Sequence, residues 1–115
     1  MPMMHIGDLD NISNNPNGPT WNARVRVTIH DANHVAVANA TVTATVTFGA
    51  SSVTVSCITG GGGECQLVRQ IADGITSATF TVTNVTHATF TYDSNANHDV
   101  DILDSNGTTI TIARP

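Results

Sequence analysis

The sequence predicts an all-β protein, folded as a two-layer antiparallel sandwich of about seven strands. Three observations carry that expectation. Glutamate occurs once and lysine not at all, so two strong helix formers are nearly missing while threonine and valine fill the chain. Apolar residues recur with a period of two over short segments bounded by Gly, Asn, Asp or Pro. Each segment has one apolar face and one threonine-rich face, and the apolar faces require a second sheet to cover them.

The elements follow in order. Residues 1–20 are dense in Asn, Gly and Pro after Leu9, and read as a leader or linker packed on or preceding the domain; residues 21–115 read as the sandwich. Val25, Val27 and Ile29 alternate with Arg24, Arg26, Thr28 and His30 in a half-buried strand that follows Trp21, whose ring is expected at the rim of the core. Asp31–His34 is a turn, and Val42, Ala44, Val46 and Phe48 alternate with Thr41, Thr43, Thr45 and Thr47 in the next strand. Val53, Val55 and Cys57 share a face. The segment 66–73 has apolar spacing compatible with two helical turns, but its place directly after the glycine run favours a strand over Leu67–Ile71. Ile75–Val85 turns Phe80 and Val82 inward, Phe90 and Tyr92 mark a sixth strand, and Ile110 and Ile112 a seventh.

Composition excludes several functions. Charged residues are 11 % of 115, and the net charge of −5 comes from nine acids against four arginines, so no basic patch exists to neutralise nucleic-acid phosphates. The same deficit argues against an anionic membrane surface, and no apolar run approaches the roughly 18 residues of a membrane span. Met1-Pro2-Met3-Met4 lacks the charged and apolar regions of a secretory signal, so the compartment is read from the cysteines. Cys57 and Cys65 enclose four consecutive glycines that can turn back and bring the sulfurs together across a hairpin. A disulfide is preferred to free thiols or a metal pair, because a zinc site wants closer cysteines and a second ligand pair. If it forms, the chain is secreted or displayed on a cell surface.

The run RVRVTIHDANHVAVANATVTATV resembles the first hairpin of bacterial immunoglobulin-like modules of the invasin/intimin group, with a strand, an Asp-x-Asn-Gly turn, x-Pro-Val, and Ala-x-Val opening the next strand. MHIGDLD, the Cys57–Cys65 segment, TFTVTNVTHATFTY and the closing SNGTTITI extend the resemblance over nearly the whole chain. It implies an immunoglobulin-like sandwich repeated in, or C-terminal to, large secreted bacterial proteins. His34 stands where that pattern has glycine, Ala36 where it has proline, and Ile102-Leu103 interrupt what would otherwise be a denser Asp/Gly run.

Three groups of residues carry chemistry worth weighing. Asp8 and Asp10 near the start, and Asp99, Asp101 and Asp104 before the last strand, gather carboxylates of the kind that calcium takes on an irregular loop. If the leader runs beside the final strand, all five converge; the plainer account is a solvated acidic turn, Asp and Asn being turn formers in their own right. The five histidines, His5, His30, His34, His87 and His98, show no ligand spacing and read as solvated turn and strand residues, with His30 and His34 a possible surface pair. The threonine faces read as soluble β-formers rather than as an ice- or glycan-binding lattice. No nucleophile elbow or phosphate loop is present, and an enzyme is not expected.

The expected function is a non-catalytic spacer or display module of a secreted or surface-exposed bacterial multidomain protein. Its partners would be neighbouring domains of the same polypeptide or copies of itself. The alternatives are an adhesion module that binds a glycan or surface protein with calcium holding the acidic loop, or a self-assembling fibre subunit.

Overall fold

A computed structural model describes residues 2–15, 18–97 and 107–115. The described residues form two four-stranded sheets packed face to face: β1 (Met3–Asn11), β2 (Thr20–Asp31), β5 (Glu64–Ala72) and β7 (Thr91–Tyr92) in the order β5-β2-β1-β7, and β3 (Thr41–Phe48), β4 (Ser51–Ile58), β6 (Ser77–Thr86) and β8 (Thr109–Ala113) in the order β4-β3-β6-β8. The chain crosses between sheets from β2 to β3, β4 to β5, β5 to β6, β6 to β7 and β7 to β8, which makes the described residues an all-β sandwich. The segment 66–73 is strand through Ala72, so the helical reading of its spacing does not hold.

The alternation is realised in the core. Val25, Val27 and Ile29 of β2, Val42, Ala44 and Val46 of β3, and Ala78, Phe80 and Val82 of β6 all point between the sheets and are buried. Their threonine neighbours stay outside, where Thr79 and Thr111 meet across β6 and β8 at 3.1 Å between hydroxyl oxygens. Trp21 closes one end of this core: its ring is fully buried, and its indole N–H donates to the Ile75 carbonyl at 2.8 Å.

Three expectations need correction. Met3–Asn11, expected within a leader, is an interior strand of the first sheet, with Met4, Ile6 and Leu9 in the core. The register slips between Ile6 and Asp8, so the inward positions pass from even to odd numbers and the period of two is broken within a short run. This makes eight strands among the described residues. Next, β1 pairs with β2 and, in parallel, β7, whereas β8 pairs with β6, so the start of the chain meets the final strand across the two sheets and not as its ladder neighbour. Finally, β4 and β5 are not a hairpin. The chain turns at Gly60–Gly63, where the Gly60 N–H donates to the Glu64 carbonyl at 3.0 Å, and then passes from one sheet to the other.

The Cys57–Cys65 disulfide therefore ties the edge strand of one sheet to the edge strand of the other, with Cα atoms 5.8 Å apart. Loop-closure entropy for cysteines eight positions apart gives about 2.5 kcal/mol. Replacing both cysteines with serine should lower the unfolding free energy by about that amount, and the melting midpoint by on the order of 10 °C. A drop below about 1 kcal/mol in denaturant titration would show that the two edges hold together without the bond.

Candidate functional site

Of the expected acidic site, Asp8 and Asp10 fall among the described residues. Asp99, Asp101 and Asp104 lie outside the described residues, as does His98. Asp8 stands opposite Thr28, and Asp10 opposite Arg26, on the β1–β2 ladder. The Asp10 carboxylate accepts from the Arg26 guanidinium at 2.8 Å, so a cation already compensates it. Asp93, just before the acidic run, caps the short 3₁₀ turn Ser94–Ala96 by accepting from the Asn95 N–H. Asn97 accepts from the Ile6 N–H at 2.8 Å and donates to the Tyr92 hydroxyl and to Thr108. This segment is fastened to β1 by its amides.

Tyr92 is half-buried, and burial raises its phenol above the ordinary value of 10.0, partly opposed by the hydrogen bond from Asn97. Stability from the neutral phenol is present in full below the unfolded-state value, near 10, and is lost as pH rises through the higher folded-state value. As this is the one tyrosine in the chain, absorbance titration of tyrosinate reports it alone. The expected midpoint lies above that of a free tyrosine, and a midpoint at the free value would show the ring to be solvated.

The histidines overturn the sequence reading. His5 of β1 and His30 of β2 are directly opposite in the register, on the face of the sheet that points away from the core. His34 reaches them from the turn after β2, although 29 positions separate it from His5. The three ring centroids are 5.2 to 6.1 Å apart, with planes near perpendicular, and one nitrogen from each ring lies within 4.8 Å of the others. Far from being solvated, His5 is only 4 % exposed, while His34 remains open to solvent.

Local chemistry builds each position. The Asp31 carboxylate accepts from the N–H groups of Asn33 (2.8 Å) and Val35 (3.0 Å), and its carbonyl accepts from His34 at 2.9 Å, which closes the turn. The bond from Val35, then that from Asn33 and the nearby His30 and His34, hold the Asp31 carboxyl below its usual range. His34 takes φ of +62°, the left-handed conformation in which such a turn ordinarily carries glycine or asparagine. Across the ladder, Gly7 at the slipped register lies under His30: a Cβ there would sit 2.3 Å from the ring's Nδ1. Any side chain at position 7 would push the imidazole away.

His87 is a structural residue. Its Nδ1 accepts from the N–H groups of Thr89 and Phe90, and its Nε2 lies 3.0 Å from the Ala38 carbonyl oxygen. The signal that sequence reasoning missed was the pairing of His-Asp-Ala-Asn-His at a turn with Met-His-x-Gly in a partner strand; it becomes readable once residues 3–11 are recognised as that strand. Comparison with protein-family models, with curated proteins and with solved structures found no match.

Proposed function

We propose that the chain is a non-catalytic spacer or display module of a multidomain protein that works outside the cytoplasm. The observation that carries this reading is where β1 begins and β8 ends. Met4 stands opposite Asp31, the last residue of β2, whereas Ala113 stands opposite Ser77, and the Arg114 N–H bonds to Thr76 beside the first residues of β2. The start of β1 and the end of β8 therefore lie at opposite poles of a body 46 Å long. The 12 residues of β2 alone span about 40 Å at 3.4 Å each. A module joined through such ends holds its neighbours apart along its long axis, and the disulfide that ties the two sheets supports an oxidising compartment.

Small-angle scattering of the chain carrying a folded domain at each end should find the two domains on opposite sides, separated by at least the 46 Å of the body. Surface-immobilised chain should show no saturable binding to glycans or cell-surface proteins. Saturable binding, strengthened by calcium, would overturn the spacer reading in favour of an adhesion module held by its acidic segment. A second reading, self-association, draws on edge strands β4 and β8, neither of which carries a charged side chain to repel another edge. Sedimentation at rising concentration separates it from the first, since a spacer stays monomeric.

A further inference from the structure

The pole at which β1 starts holds a group of side chains that a spacer does not need. We infer that His5, His30 and His34 together bind one divalent transition-metal ion of the Zn²⁺ class, as the three ligands that the described residues supply. The inference is independent of the spacer reading, because it rests on side chains of the outer face and not on the positions of the chain's ends.

Imidazole nitrogen is a preferred ligand of Zn²⁺, Cu²⁺ and Ni²⁺, and three imidazoles with an open fourth position form a recurrent zinc arrangement. Among the described residues this group holds no carboxylate, which sets it apart from sites for calcium or magnesium. The Asp31 carboxylate is turned to the backbone of its own turn and acts on the group by holding His34 in place.

The distances suit capture. Nitrogens around tetrahedral zinc stand about 3.3 Å apart, given Zn–N bonds near 2.0–2.1 Å. Ligand atoms already within 4.8 Å of one another need movements on the order of 1 Å to reach that spacing. His5 and His30 are carried by the ladder they share, and His34, exposed on its turn, is the ligand whose ring moves to close the set. With two of three ligands fixed before the ion arrives, little ordering remains to oppose binding.

Two local features meet at this one point. A histidine stands in a left-handed conformation that side chains other than glycine rarely adopt. A glycine interrupts a strand interior where the His30 ring needs the room of its missing side chain. Both keep the three rings within reach of one another, the arrangement that a shared ion requires.

The test uses the full chain and Zn²⁺, titrated calorimetrically in competition with a chelator of known affinity, and Co²⁺ as a spectroscopic probe. Wild type should bind one ion per chain, show the visible absorption of Co²⁺ bound by nitrogen ligands, and melt at a higher temperature with Zn²⁺ than with chelator. His34→Gly and His34→Asn both tolerate the left-handed turn, so the sandwich should be kept. Zn²⁺ affinity in these variants should fall at least about 100-fold, beyond the loss expected from removing a mere outer-shell partner, and the rise in midpoint should vanish. Wild type without stoichiometric binding would overturn the inference and leave the rings as a packing cluster. Equal binding by wild type and both variants would also overturn it, by assigning the ion to other groups.

Discussion

Trp21→Ala should lower the unfolding free energy by about 3–5 kcal/mol, a large share of the roughly 5–15 kcal/mol that holds a small domain folded. The indole lies on β2 with no exposed surface, faces Ile71 of β5 across the ladder, and bonds to the Ile75 carbonyl in the connection that carries the chain to the other sheet. Removing it opens a cavity between the sheets and also unpairs that carbonyl. Trp21→Phe separates the two effects, since it keeps most of the volume and loses the bond; its expected cost is about 1–2 kcal/mol. Urea titration checks both variants. A loss under about 1 kcal/mol for Trp21→Ala would mean that the β5–β6 connection collapses onto the vacated site.

Gly63→Ala should cost about 2–4 kcal/mol, whereas Gly61→Ala and Gly62→Ala, two and one positions earlier, should stay within about 0.5 kcal/mol of wild type. The four glycines look equivalent in sequence. Gly63 alone among them has φ of +76°, and a Cβ there would come within 2.8 Å of Ala36 Cβ and 2.9 Å of the Ile29 carbonyl oxygen. The second contact is with backbone of β2, which cannot step aside, and the Gly63 carbonyl itself accepts from the Ile29 N–H at 2.8 Å. Strain and overlap therefore add. At Gly61 and Gly62 a Cβ meets nothing within 4 Å. Similar losses at all three positions would show that the loop does not dock on β2 as tightly as these distances require.

Much of the fold was legible because it is written in alternation. A strand half-buried in a sandwich must show its burial every second residue, so Val25, Val27 and Ile29, or Val42, Ala44 and Val46, declare both their conformation and their inward face without any knowledge of partners. β1 escaped for the converse reason. Its core residues are Met4, Ile6 and Leu9, and the slip at Gly7 breaks the period after two of them. Cys57 and Cys65 announced their bond through eight-residue separation and glycine content, but whether the bond spans a hairpin or two sheets depends on where β4 and β5 find their neighbours.

From the sequence alone came the class of fold, the inward faces of most strands, the disulfide and the absence of a basic surface, each a property of composition or of residues near one another in the chain. Tertiary structure alone decided that the first strand lies inside a sheet, that the disulfide joins edge to edge, and that His5 meets His30 and His34. The physical reason is register. A one-residue slip turns a side chain to the opposite face, and the slip between Ile6 and Asp8 is set by which strand pairs with β1 and by the room that Gly7 leaves for the His30 ring. Contacts between residues 25 or more positions apart, such as His5 and His30, exist only once that pairing is made.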